Sequence, residues 1–118
     1  MASIAGRVTE ELAPLVRLRL SAEHEVDFLV DTGFSGELVL PSAVVEKLEL
    51  PIVADEFHLQ MVGGEKTIAA LAAAEIEWLG EIRPVLVIVK EDYLLGAHLL
   101  KDSELIIDYR ARTLRISR

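Results

Sequence analysis

A single acidic residue stands at the end of an apolar run, in a pattern that could deliver a carboxylate to a reactive site. Residues 28–30 are apolar and lead directly into Asp31, Thr32 and Gly33. A buried strand would carry the carboxylate at its end, and the glycine would let the backbone come close to whatever that carboxylate touches. The alternative is that Asp31 opens a turn and bonds nearby N–H groups, which is the commoner role of an Asp-x-Gly tripeptide.

Two further features follow in the chain. Val62-Gly63-Gly64-Glu65 lies about 30 residues after Asp31 between two strand-like runs, which indicates a hairpin with a two-residue turn. Leu94-Leu95-Gly96 precedes a short helical segment. Each feature is ordinary by itself, because glycine pairs are common in hairpins and a glycine before a helix is common too.

Together, in this order and at this spacing, the three features resemble the retropepsin-like aspartic proteases. Residues 30–41 are similar to the small bacterial members of that clan, and the resemblance covers about residues 15–116. It implies a mainly all-β fold, namely a closed acid-protease barrel with a flap hairpin and one or two short helices.

The resemblance also implies the chemistry, which is hydrolysis of a peptide bond by a water held between two aspartates that share one proton. The chain contains one Asp-Thr-Gly, so each chain carries half a site. A two-fold dimer would place Asp31 beside its mate, because an isologous interface pairs identical residues. We therefore expect a homodimeric aspartic endopeptidase, with Asp31 as the catalytic residue and a peptide or protein as the substrate.

Supporting roles follow from the same resemblance. Thr32 and Gly33 are expected to support the active site, with the Thr32 hydroxyl bridging the two subunits. The expected substrate-binding residues comprise the segment after Gly33, the flap and one of the two leucines, namely Phe34, Ser35, Val62, Gly63, Gly64 and Leu95.

This chain departs from the retroviral pattern at three positions. Retroviral members have Ala after Asp-Thr-Gly, then an acid, and an Arg after the later glycine. The residues here are Phe34, Ser35 and Ala97. The acid and the Arg form an ion pair near the dimer contact, and the loss of both leaves no unpaired charge. Because this ion pair lies near the dimer contact in retroviral members, its absence here bears on how tightly the expected dimer holds together.

A rival hypothesis comes from a different class of protein. A non-catalytic β-barrel dimer could use the same groove to bind an extended peptide by strand addition. The Asp-Thr-Gly motif favours catalysis over this alternative.

The composition sets further limits. The chain of 118 residues is long enough for one domain and too short for two, so we expect a single domain over residues 1–118. It is 52% hydrophobic but only 5% aromatic, which predicts an aliphatic core and hints at apolar burial between subunits. The formal charge of −8 argues against nucleic acid or an anionic membrane as the main partner.

The sequence predicts neither metal nor cofactor. Cysteine is absent, and His24, His58 and His98 fall on separate segments without ligand spacing. We expect a soluble cytoplasmic protein, because the first 20 residues lack the pattern of a secretory signal. The longest apolar run, residues 68–74, is also too short to span a bilayer.

Short strands must position these residues. Strands are expected over 4–8, 15–20, 26–30, 37–40, 57–62, 66–74, 75–78, 82–89, 105–108 and 113–116, and helices over 43–48 and 97–101. Residues 4–8 are expected at a sheet edge and residues 85–89 in a central strand. The alanine-rich residues 69–74 would suit a helix by propensity, although their place after Gly63-Gly64 favours a strand. Trp78 is expected to be a packing residue, and Asp108 is expected to start the turn of the last hairpin.

Overall fold

Strands dominate the computed structural model, which describes residues 2–21, 24–60 and 63–118. Within these residues there are ten strands and two short helices. The strands are β1 (Ser3–Val8), β2 (Pro14–Leu20), β3 (His24–Val30), β4 (Leu38–Leu40), β5 (Ile52–Gln60), β6 (Lys66–Trp78), β7 (Glu81–Val89), β8 (Leu94–Leu95), β9 (Glu104–Asp108) and β10 (Thr113–Ser117), and the helices are α1 (Ser42–Lys47) and α2 (Ala97–Leu100). The mainly all-β architecture is therefore confirmed. No helix in the described ranges has the length and apolarity needed to cross a membrane.

All ten strands belong to one sheet that curls into a ring. Their order is β5-β6-β7-β4-β8-β3-β2-β1-β10-β9, and β2 also pairs with β6. That extra contact joins Leu20 to Ile76, and the N–H of Ser21 donates to the carbonyl of Glu75 at 2.9 Å. Six strands, from β6 through β7, β4, β8 and β3 to β2, thus form a partial ring around much of the core, which fits the barrel-like fold that the resemblance implies.

Alternation of apolar and charged residues fixes the register of the β2–β3 hairpin. Leu18 and Leu20 point into the core, whereas Arg17 and Arg19 point outward. Arg17 pairs across the hairpin with Asp27, and their side chains approach to 2.8 Å. A slip by one residue would expose the leucines and bury the arginines, so both faces of the hairpin favour the same register.

The alanine-rich segment is a strand, as expected from its place after the glycines. Residues 66–78 form the single strand β6, whose edges are taken by β5 on one side and by β7 on the other. Helix propensity is a weak preference, and strand pairing on both sides of this segment overrides it, although the ladder with β5 is interrupted by two register shifts. The chain turns tightly after this strand, at Leu79 and Gly80, which both have positive φ.

The apolar interior divides into two clusters. The main cluster fills the ring, and its largest fully buried side chains are Trp78 and Phe28. The packing role predicted for Trp78 is therefore confirmed. A smaller cluster, which we call the satellite core, has three buried members, Val39, Ala69 and Ile88. Partly buried side chains pack on it, namely Phe34, Leu59, Leu71 and Leu94. The satellite core therefore joins strands β4 to β7 with the segment that follows Asp31.

Three local predictions require correction. β1 does not lie at an edge, because it pairs with both β2 and β10, and the outermost strands of the described sheet are β5 and β9. Residues 66–74 and 75–78 are one continuous strand rather than two. The hairpin between β5 and β6 does not turn on two residues, since Gln60 pairs with Lys66 and five residues lie between them. Gly63 and Gly64 have φ of 98° and 89°, a conformation that glycine adopts readily.

Asp108 has the turn role predicted for it. Its Oδ1 accepts hydrogen bonds from the backbone N–H groups of Arg110 and Ala111 at 3.0 and 2.9 Å. These bonds stabilise the turn between β9 and β10, and they place Asp108 in the architecture of the sheet.

Candidate active site

The backbone of Asp31 is fixed at the end of β3, beside the parallel strand β8. β8 pairs with β3 in parallel, with Val30 opposite Leu95. The N–H of Asp31 continues this ladder by donating to the carbonyl of Leu95 at 2.9 Å. β8 also pairs with β4 on its other side. The residue thus follows a strand whose position is set by the core, as the apolar run before it predicts.

The Asp31 side chain forms a turn and remains half-buried at the surface. Its Oδ1 accepts a hydrogen bond from the N–H of Gly33 at 3.0 Å, and the Phe34 N–H donates to the Asp31 carbonyl at 3.1 Å. A Cβ at position 33 would lie 3.3 Å from that Oδ1, which is a tight contact. Asp31 therefore does form the turn that the sequence left open as an alternative. The turn orients the carboxylate and leaves it partly exposed to solvent.

Residues 31–37, which we call the site loop, dock onto the segment around α2. The Ala97 N–H donates to the Phe34 carbonyl at 2.7 Å, and the His98 N–H donates to the Gly36 carbonyl at 3.2 Å. A Cβ at Gly96 would collide with the carbonyl oxygen of Gly36 and with the Phe34 ring. Only glycine allows this approach, which gives the glycine of Leu94-Leu95-Gly96 a structural reason.

A cavity of about 440 Å³ adjoins the Asp31 carboxylate. Its apolar wall consists of side chains that belong to the satellite core, namely Phe34, Val39, Leu59 and Leu94. Its polar lining includes Ser35, Gln60 and residues 90–92. Two larger hollows do not include Asp31: one of about 650 Å³ lies mainly between β1, β2 and the β6–β7 turn, and one of about 760 Å³ lies mainly between β3 and α1. The smaller cavity is the one that combines a concave apolar surface with the candidate carboxylate.

The structure brings part of the expected site together. Asp31, Gly33, Phe34 and Ser35 line one cavity. Thr32 is exposed and does not line it.

Two of the residues expected in the flap stand apart from that cavity. Gly63 and Gly64 are exposed near the end of the β5–β6 hairpin and do not line it. Val62 lies outside the described residues. Leu59 and Gln60, at the end of β5, are the residues through which this hairpin contributes to the cavity.

The leucine assignment needs revision. Leu95 is completely buried in the main core, whereas Leu94 is partly exposed and lines the cavity. Successive side chains of a strand point to opposite sides, so only one of two adjacent leucines can face the cavity. The pair of leucines does not reveal which one this is. The place of Val39 in the cavity wall could have been predicted from the sequence. Val39 lies between Leu38 and Leu40 in a strand, so it points to the side opposite the core that these leucines fill.

Glu37 is a polar residue of the site loop that the motif does not reveal. Its carboxylate is only 14% exposed, and its Oε1 accepts a hydrogen bond from the Leu86 N–H at 2.9 Å. The other oxygen, Oε2, lies 3.2 Å from Arg83 Nη2 and 3.4 Å from His98 Nδ1. An ion pair therefore holds the site loop, although positions 35 and 97 carry no charge.

Charges on the outside of β2 and β3 are separate from the cavity. The hydrogen bond from Arg17 is the main cause that lowers the pKa of Asp27, and a second hydrogen bond from Arg7 acts in the same direction. Both pairs are on the outer face of the sheet.

Across residues 2–21, 24–60 and 63–118, no three or more histidine, cysteine or carboxylate side chains are arranged as a metal site.

Comparison with solved structures identifies the architecture. EIAV protease complexed with the inhibitor HBY-793 is similar to this chain with a TM-score of 0.61 and 22% sequence identity. The match covers 80% of this chain and 90% of the EIAV chain. In all, 72 solved chains match the structure. No family model and no curated protein matches the sequence. The fold is thus retropepsin-like.

Proposed function

We propose that this chain is an aspartic endopeptidase that acts as a homodimer, with Asp31 of each copy forming the catalytic dyad. The observation that carries the proposal is the position of the one Asp-Thr-Gly motif in a retropepsin-like fold. Its aspartate follows a core strand of the ring, and its carboxylate borders a cavity with an apolar wall.

The proposed mechanism requires two carboxylates. One Asp31 takes a proton from a water as that water attacks the carbonyl carbon, and the protonated partner stabilises the oxygen of the tetrahedral intermediate. The C–N bond then breaks as the leaving nitrogen receives the proton that the first Asp31 took from water, which returns the dyad to its singly protonated state. The bond from the Gly33 N–H orients Oδ1, and among the described residues Oδ2 accepts no hydrogen bond. One oxygen is therefore held while the other can contact water.

The substrate proposed is an extended peptide with an apolar side chain that enters the cavity. Phe34 and Leu94 would contact that side chain, and Ser35 would bind the peptide backbone. We keep Val62, Gly63 and Gly64 as residues of the proposed flap. Leu94 takes the place first given to Leu95, because a completely buried side chain cannot touch a substrate.

The test replaces Asp31 with Asn, which keeps the shape of the side chain and removes its acid–base function from both halves of the dyad. Wild type, Asp31→Asn and the control Asp102→Asn are purified and compared by circular dichroism and by sedimentation. Asp102 is an exposed turn residue with φ of 64°, a conformation that asparagine tolerates, so the control makes the same chemical change away from the cavity.

Each protein is then incubated with a mixed peptide library between mildly acidic and neutral pH, and the products are read by mass spectrometry. We expect cleavage by wild type and by Asp102→Asn, and none by a folded Asp31→Asn dimer. Activity should rise and fall with pH, because the dyad needs one proton shared between two carboxylates. Equal cleavage by Asp31→Asn would refute catalysis by Asp31. Tight binding of peptides without cleavage by any form would instead favour a peptide-binding module.

A further inference from the structure

The Glu37 carboxylate contacts three separate parts of the chain from one nearly buried position. Glu37 is the last residue of the site loop and directly precedes β4. Its two oxygens contact the backbone of Leu86 in β7, the guanidinium of Arg83 in β7 and the ring of His98 in α2. A carboxylate with so little exposure requires partners, because burial of an unpaired charge is costly.

The hydrogen bond between Glu37 and Leu86 adds one interaction at the start of the β4–β7 ladder. The β4–β7 ladder begins where Leu38 pairs with Val87. The Glu37 carboxylate accepts the N–H of the residue just before that pair, at 2.9 Å. A charged acceptor makes a stronger hydrogen bond than a backbone carbonyl does. The C-terminal end of the site loop is thereby fixed to β7.

Arg83 extends the same connection to the segment around α2. Its Nη2 donates to Glu37 at 3.2 Å, and its Nη1 lies 3.4 Å from the carbonyl of Leu99, to which it donates. The planar guanidinium can contact both groups at fixed directions, which a lysine ammonium cannot reproduce. One side chain thus links the site loop, β7 and α2.

The backbone shows why this link affects Asp31. The N–H groups of Gly96, Ala97 and His98 donate to carbonyls of the site loop, and the carbonyl of Leu95 accepts the N–H of Asp31. Residues 95–98 therefore hold both ends of the site loop. A shift of α2 would therefore move the site loop through these hydrogen bonds, and the Asp31 carboxylate with it.

We propose that Glu37 and Arg83 are positioning residues that hold the site loop in the geometry needed by Asp31. They couple the site loop to the segment around α2, the two segments in which positions 35 and 97 lack charge in this chain. The effect on catalysis rests on the proposed peptidase function. The effect on the site loop does not, since it concerns backbone geometry alone.

The test uses two substitutions and one control. Glu37→Gln keeps an acceptor for the Leu86 N–H but loses the charge that faces Arg83. Arg83→Lys keeps the charge but loses the second contact with Leu99. The control is Glu104→Gln, the same change at an exposed position of the outer strand β9. If Glu37→Gln fails to fold by circular dichroism, Glu37→Asp replaces it, because the shorter side chain keeps the charge and cannot reach both partners.

The first readout is amide hydrogen exchange in the 118-residue protein. We expect the Gly96, Ala97 and His98 amides to exchange about tenfold faster in Glu37→Gln, the size of effect that loss of one charge-assisted hydrogen bond gives. Amides of the β9–β10 hairpin should be unchanged. Arg83→Lys should give a smaller acceleration, and Glu104→Gln should match wild type. Acceleration spread evenly over the whole sheet would overturn the proposal, because it would mean a general loss of stability.

The second readout is steady-state cleavage of a peptide found with the wild-type enzyme. We expect kcat to fall about tenfold or more in Glu37→Gln while KM changes less than about twofold, because a misplaced catalytic group affects the reaction step more than binding. Wild-type kcat together with wild-type exchange would refute the positioning role. If wild type cleaves no peptide, the peptidase proposal fails, and the exchange data alone decide whether Glu37 holds the site loop.

Discussion

Leu94 and Leu95 offer an internally matched test of the architecture, because they are adjacent and chemically identical but face different surroundings. Leu95 is completely buried in the main core, while Leu94 borders the cavity. Replacing a buried leucine with alanine removes its transfer free energy and leaves a void, at a cost of about 2 to 5 kcal/mol. Leu95 has no exposed surface, so we expect Leu95→Ala to lie in the upper half of that range.

Leu94→Ala should cost about 1 kcal/mol or less, because its side chain already has exposed surface and the cavity beside it exists in the native protein. Urea unfolding followed by circular dichroism measures both variants. Protein concentration must be equal, since the stability of the proposed dimer would depend on it. The urea midpoint should fall much further for Leu95→Ala than for Leu94→Ala, whereas peptide KM should change more for Leu94→Ala. Equal loss of stability in the two variants would contradict the register of β8 and the assignment of Leu94 to the cavity.

Two other predictions concern packing and charge. Gly96→Ala should destabilise the fold by about 1 to 3 kcal/mol in thermal unfolding, because its methyl group would collide with Phe34. A melting temperature equal to wild type would contradict the close packing at that position. Asp27→Asn should be less stable than wild type at neutral pH, because Arg17 and Arg7 lower the pKa of Asp27 in the folded state. A lowered pKa stabilises the folded state above the ordinary pKa of 3.8, and this contribution is lost as pH falls through the lower folded value. The difference in unfolding free energy should therefore shrink in acid, and a difference that stayed constant with pH would point to lost packing instead.

Short-range patterns in the sequence predicted the strands well where one face meets the core and the other meets water. The β2–β3 hairpin is an example, since alternation and charge pairing both fix its register. Predictions that depended on distant partners were less reliable. β1 looks like an edge strand from its own residues, and it is internal because β10, near the other end of the chain, pairs with it.

The candidate site was predictable to the same degree. Asp31 and Gly96 carry short-range signals, namely an apolar run before an acid and a glycine before a helix. Glu37 carries none, because Arg83 lies 46 positions away and the Leu86 N–H lies 49 positions away. The choice between Leu94 and Leu95 depends on which side of β8 faces the core, and two identical side chains cannot encode that in the sequence.

The satellite core also forms the apolar wall of the cavity, so a ligand that bound there would add to the burial of this core. Val39 and Ile88 are buried there, while Phe34, Leu59 and Leu94 pack against them and remain partly open. An apolar side chain that entered the cavity would cover the exposed surface of Phe34, Leu59 and Leu94 and remove it from water. The bound side chain would then contact both the β5–β6 hairpin, through Leu59, and the site loop, through Phe34. The ligand-bound protein would therefore be more stable than the free protein.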